Sequence, residues 1–438
     1  MQSVQSKYGY GMTASACLWL GLFPLLQGGT YTHITWDKWV IMLVLAGVTL
    51  LSFLFDLLLR LKQRGRAEKP PRAGVSVRSL LPFLLASALL AWTVLSCLFN
   101  GYDPEIWWLG KAARYEGLAT QLCYYALFAC FFFSRVRLKP VLFSAAAGVA
   151  VFLVVVLLQR AGGNPLGLYP GAYRVEFQGT IGNIDMGTGY LLLLSGLFLR
   201  GLIGALRKPA GQRSPVLAAV CAAALLIAVF LIVTMEVQFG LIGLGVLFLV
   251  TLLRFIPKKA RLPLLLILIA AVLLAVWFCP VRTGGVWELH EILHGRGRLS
   301  FGSNRVAVWY YSLLLARTAP LLGGGSGTFQ PRFNSFLADQ GLAIPTEQDG
   351  RSLPAYFDMP HNEYIAILTN HGLPAMLLFL ALLLFAVFRR REGWLPLPGP
   401  CSAAVLCYAV QAFFSFSVCI VAPMFWVVLG LSFSSDPA

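Results

Sequence analysis

Between Cys279 and Gly372 the sequence gathers four of its five histidines (His290, His294, His361, His371) and seven arginines (Arg282, Arg296, Arg298, Arg305, Arg317, Arg332, Arg351). Guanidinium groups are planar, permanently charged and offer paired donors, which suits a phosphate or diphosphate. In a water-poor site they can stabilise the charge that develops on a departing diphosphate. Arg305 stands four residues before Trp309, which predicts that both lie on one face of an ordered helix. Its alternative reading is a snorkelling or acid-paired arginine. Arg114 and Arg174 fall in two other polar loops, where each reads either as an anion ligand or as plain interfacial charge. An imidazole ionises near neutrality, so His361 could take a proton from an attacking hydroxyl. A capping or hydrogen-bonded histidine is the other reading of that residue. His290 and His294 share a helical face, but Glu291, Ile292 and Leu293 between them do not make the His-Glu-x-x-His pattern. They read as part of a polar surface helix rather than as metal ligands. The run Gly323–Gly327 lacks the lysine of a nucleotide-binding loop.

The elements that must position these groups are apolar. Of 438 residues, 58% are hydrophobic and 12% charged, and the mean hydropathy is +0.76. Soluble domains carry about 25% charged residues. An all-α, polytopic membrane protein with about 12 spans is expected, at 12–28, 39–59, 79–98, 117–134, 140–158, 186–205, 215–233, 240–256, 262–279, 373–388, 400–416 and 419–433. The loops after alternate spans, at 60–78, 135–139, 206–213, 257–261 and 389–392, hold most of the 34 lysines and arginines. Short basic loops stay cytoplasmic. Both termini are therefore expected inside and residues 280–372 outside. The net charge of +16 then reports topology and attraction to anionic lipid, with no nucleic-acid partner expected. Nine scattered cysteines without a CxxC pair suggest neither a disulfide framework nor a zinc site. No small-x-small cleavage site follows the first apolar run, so that span is expected to be retained.

The reading is of one integral membrane domain, 1–438, with 280–372 as an extracytoplasmic catalytic loop before the tenth span. Within that loop, 304–319 has helical spacing, with Ser303 as N-cap and Pro320 as stop. Residues 361–370 are expected to continue as helix towards the span at 373. No internal repeat stands out.

The order of these features resembles the O-antigen ligase and polymerase family, bacterial membrane glycosyltransferases that use a polyprenyl-diphosphate carrier. The resemblance is carried by Arg305 with Trp309, by Pro320 to Phe329 with Gly323, Gly325 and Gly327, and by Pro360, His361, Asn362, Glu363 and Tyr364. Upstream, Gly179 to Asn183 with Arg174 before it, and Gly110 to Gly117 with Arg114 and Glu116, resemble further blocks of the family. The resemblance implies an α-helical, metal-independent, inverting transferase needing no cofactor. In it His361 is the catalytic base and Arg305 a diphosphate ligand. Arg174, Arg114, Glu116, Asn183, Gly325, Gly327 and Asn362 are the expected substrate-binding residues. The implied donor is a polyprenyl-diphosphate-linked glycan, and the acceptor a glycan, lipid or wall polymer. The implied place is the outer face of the bacterial cytoplasmic membrane. One departure stands out. The loop Thr234–Gly240 lacks the arginine that many members carry there, and Glu236 would repel phosphate; Arg174 or Arg114 would then have to substitute.

A transporter or flippase of lipid-linked glycans is the rival reading. Ion-coupled transporters place acids within the membrane, and here only Asp56 lies clearly inside an expected span. A non-catalytic scaffold for envelope assembly is a third.

Overall fold

The structure, a computed structural model, describes residues 9–64, 77–111, 114–169, 178–348, 351–354, 357–388, 400–416 and 418–434. Every apolar run named above folds as helix. In chain order these helices are α1 (Tyr10–Cys17, prolonged by tighter and wider turns to Leu25), α2 (Ile34–Arg64), α3 (Val77–Leu98), α5 (Leu118–Phe132), α6 (Leu138–Arg160), α7 (Ile184–Arg207), α8 (Pro215–Thr234), α9 (Gln238–Leu252), α10 (Lys258–Trp277), α14 (Glu363–Phe388), α15 (Pro400–Ala412) and α16 (Ala422–Phe433). A short helix, α4 (Pro104–Leu109), joins α3 to α5. In an apolar medium a backbone must satisfy its own polar groups, and a helix does so within one segment. Among the described residues, α2, α3, α6, α7, α8, α10 and α14, seven in all, are long and apolar enough to cross a membrane. The other five apolar runs give helices that fall short of the roughly 20 residues a full crossing takes.

The core lies along α7, where every residue from Met186 to Phe198 is buried. It packs chiefly on α8 and α15, while α16 lies on α5 and α14 on α3. By contrast, none of the apolar window of α10 is buried in the protein. Asp56 is buried and accepts a hydrogen bond from the amide of Met12, so this carboxylate sits at the start of α1 rather than along a polar path.

The polar stretch between α10 and α14 folds as α11 (Gly284–Leu293), α12 (Arg305–Ala316), α13 (Phe329–Asp339) and a two-stranded antiparallel ribbon, β1 (Pro345–Gln348) with β2 (Arg351–Pro354). The ribbon is the exception to an otherwise all-α chain among the described residues, and neither it nor α13 is anticipated by the sequence reading. α12 and α13 share a separate small core made by Ala307, Val308, Leu315, Phe329, Phe333 and Leu337. The expected N-cap of α12 is displaced by one residue. Ser303 and Asn304 both take left-handed conformations (φ 56° and 68°), and Asn304 occupies the cap. The helix also stops at Ala316, before Pro320, because the amides of Arg317 and Thr318 turn back to Leu314 and Leu315.

α14 begins at Glu363, two residues after the expected start at 361, because Asn362 caps it, and it breaks at Gly372 (φ 79°). A Cβ there would collide with the carbonyl oxygen of Leu321, so only glycine fits. The amide of Leu373 then bonds to Pro320 rather than along its own helix. The glycine-rich turn after α12 thus plugs into the break in α14.

Candidate functional site

The residues singled out for chemistry converge where α7, α9, α12, α14 and the α4–α5 loop meet. Helical spacing puts Arg305 and Trp309 on one face of α12, and each has its own task. The indole of Trp309 donates to the carbonyl of Pro360 (2.9 Å), fixing the backbone just before His361. The ring of Trp309 packs against Phe413 and Phe414. Asn362 is buried and caps α14, its side-chain oxygen accepting from the amide of Ile365 (3.0 Å). Between these two anchors His361 takes a left-handed conformation (φ 50°). That conformation is uncommon for a residue with a side chain and persists only where neighbours impose it.

The imidazole of His361 packs edge-on against Phe416 (4.9 Å between ring centres). The guanidinium of Arg114 lies over the same ring at 4.9 Å. Arg114 is clamped by Asp358, with its Nε and Nη2 both 2.6 Å from Oδ2. The loop carrying Arg114 is held by Tyr115, whose ring packs on Trp36 and Trp39. From the other side comes Arg305, whose Nη2 stands 3.9 Å from Asp185 Oδ2, with its guanidinium 5.5 Å from the centre of Phe239. The backbone of Asp185 is held in turn by the side-chain amide of Gln411 (2.8 Å).

Burial pushes the His361 pKa down to about 4, the positive charge of Arg305 and, less, of Arg114 adding to this while Asp358 opposes it. At neutral pH the imidazole is therefore a free base within the field of two guanidiniums. Glu116, 8% exposed, accepts from the Tyr124 hydroxyl (2.8 Å). Burial holds its carboxyl well above the usual range, and Glu363 nearby adds to the shift.

The remaining expected residues fall out differently. Asn183 caps α7, its oxygen accepting from the amide of Met186 (3.0 Å). Gly325 gives its amide to the carbonyl of Asn370 (2.7 Å), and a Cβ on it would meet Asn100. Its amide is thus committed to seating the loop on α14. Gly327 lies at the wall of a cavity shared with Arg114. Arg174 lies outside the described residues. His371, 7% exposed, faces Ser96 (3.3 Å) and lines a cavity with Glu116, Asn370 and Phe416. His290 and His294 stack on one another, and each engages a backbone carbonyl, of Val276 and His290 respectively. Among the described residues no three histidine, cysteine or acidic side chains group as a metal set.

Sequence reasoning did not single out Asp358, Phe416, Phe239 or Gln411 as site residues. Asp358 and Phe416 carry no local motif; they are recognisable only once the fold brings them to Arg114.

Comparison with known proteins agrees with the resemblance read from the sequence. A family model described as O-antigen ligase matches residues 222–380, from α8 to the second half of α14, and supports assignment of the chain to the O-antigen ligase and polymerase family. The matched stretch includes Arg305, Gly325, Gly327, His361 and Asn362 but not Arg114, Glu116 or Asn183. Among curated proteins, none matches the chain.

Proposed function

From that family assignment we propose that this chain transfers or polymerises a glycan from a polyprenyl-diphosphate carrier onto an acceptor hydroxyl at the outer face of the bacterial cytoplasmic membrane. The observation that carries the reading is a free-base imidazole within the field of two guanidiniums, in a chain whose matched segment bears both His361 and Arg305. The Nε2 or Nδ1 lone pair of His361 takes the proton of the acceptor hydroxyl as its oxygen attacks the anomeric carbon of the donor sugar. The bond from that carbon to the diphosphate oxygen breaks on the opposite side, so configuration inverts. The bonding pair leaves with the polyprenyl diphosphate, and the proton remains on His361 until solvent removes it. Arg305 meets the diphosphate charge, with Arg114, which lies over Phe416, adding to the positive field. The step as written draws on no metal ion. The basic loops at alternate ends of the spans support placing this end of the bundle outside and both termini inside.

Reconstitution tests the reading. Purified protein in vesicles, given a polyprenyl-diphosphate-linked oligosaccharide, should release polyprenyl diphosphate and form a new glycosidic bond, with and without a chelator. Movement of the lipid-linked glycan between leaflets without bond formation would make the chain a flippase. In cells lacking the protein, single repeats on the carrier would mark a polymerase and long carrier-bound chains a ligase.

A further inference from the structure

Beside Arg114 lies a cavity of about 220 Å³, its wall including Lys111, Arg114, Glu116, Gln330, Asp358 and Asn370. It shares no residue with the Arg305–Asp185–Phe239 side. Two of its polar wall residues are unfinished. Asn370 Oδ1 and Gln330 Oε1 are both buried and have no hydrogen-bond partner in the protein. A buried acceptor without a donor costs about 1–3 kcal/mol, and two at one cavity point to a ligand that brings several donors. The remaining wall suits the same guest. It mixes carboxyl, amide and cationic groups with the apolar flanks of Phe329 and Met359. Lys111, Gly327 and Gln330 also border a groove of about 570 Å³ running out between α4 and α13. A chain held at one end in the cavity has a way out.

We propose that this cavity seats one sugar ring of the acceptor glycan, with Asn370 Oδ1 and Gln330 Oε1 accepting hydrogen bonds from its hydroxyls and the rest of the glycan leaving along the α4–α13 groove. This rests on the glycan-transfer reading and extends it by dividing the substrates between the two sides of His361, acceptor by Arg114 and diphosphate by Arg305. Glu116, whose carboxyl burial pushes well above the usual range, adds a further polar group to the wall. A site built around acceptors of hydroxyl protons rejects analogues that lack those hydroxyls.

Saturation-transfer NMR on the full chain in nanodiscs, with methyl glycosides of glucose, galactose and N-acetylglucosamine as probes, tests the subsite without requiring transfer. At least one glycoside should bind. Gln330→Met and Asn370→Leu should each weaken it tenfold or more, whereas Gln330→Glu and Asn370→Asp, which keep an acceptor oxygen, should retain it. If Asn370→Leu fails to fold, Gln330→Met on the surface helix α13 carries the comparison. No glycoside bound by the unmodified protein, or equal binding by the Met variant, overturns the subsite. In the transfer assay the same variants should raise the acceptor KM and leave the donor KM alone. A raised donor KM instead would give the ring to the donor and overturn the acceptor assignment. Glycoside binding with no transfer by the unmodified protein would remove the transferase reading while leaving the sugar subsite standing.

Discussion

Arg305 and Arg114 flank one imidazole, yet they are held in opposite ways. Arg114 has both its Nε and Nη2 at 2.6 Å from a single carboxylate oxygen of Asp358 and lies flat over Phe416. Arg305 has Asp185 at 3.9 Å, the outer limit of an ion pair, and so keeps donors to give. A guanidinium already satisfied shapes a site and contributes field; one loosely paired can receive an anion. The contrast teaches that the sign of charge around His361 does not by itself tell ligand from scaffold. The partner distance does.

Several measurements break or sharpen that contrast. The largest effect belongs to the group between the two arginines. His361→Ala should lower the transfer rate by about 10²–10⁴, the usual worth of a general base, with donor binding intact. Normal transfer by that variant would end the base assignment. Next, Arg305→Ala should cost about 10²–10³ in turnover, as loss of a charge-stabilising donor does, and Arg305→Lys should recover part of it. Unchanged donor turnover would show that Arg305 is not the diphosphate ligand. Asp358→Asn should cost less than either, since an ion pair a third exposed on each side contributes at most about 1 kcal/mol. A loss as large as that of Arg305→Ala would erase the distinction between the two arginines.

The smallest effect, and the most specific, is on pH dependence. The pKa of His361 is lowered to about 4 against an ordinary 6.5. The acid limb of kcat/KM should therefore fall well below pH 6.5. Arg305→Gln removes a lowering charge and should move that limb up, whereas Asp358→Asn removes a raising charge and should move it down. The same lowered pKa affects stability. His361 is neutral in both folded and unfolded chains above pH 6.5; below that the unfolded chain binds the proton first. The folded state thus loses stability as pH falls from 6.5 towards 4. A limb that moves the same way in both variants would contradict the electrostatic reading.

Much of this was legible in the sequence because its signals are local. Apolar runs give helices wherever the surroundings deny water to the backbone. The four-residue spacing of Arg305 and Trp309 gave their common face, and Pro360 gave the start of α14 to within two residues, the cap by Asn362 going unread. Length was less legible, since α5, α9, α15 and α16 are apolar but shorter than a full crossing. α13 hides its pattern, with Phe329, Phe333 and Leu337 at helical spacing but Gln330, Arg332, Asn334 and Ser335 lying between them. The partners of the candidate site were not legible at all. Arg114 meets Asp358 across 244 positions of chain, and no local pattern encodes such a pairing.

The turn after α12 is sewn to α3 and α14 at once. The indole of Trp92 donates to Leu321, and the hydroxyl of Ser96 donates to Leu322 and Asn370, contacts separated by more than 220 positions. During synthesis the first three helices must wait for the last third of the chain before this seam can close. A chain still emerging from the ribosome, or one that stops short of α14, has no assembled pocket in which to act on the lipid carrier.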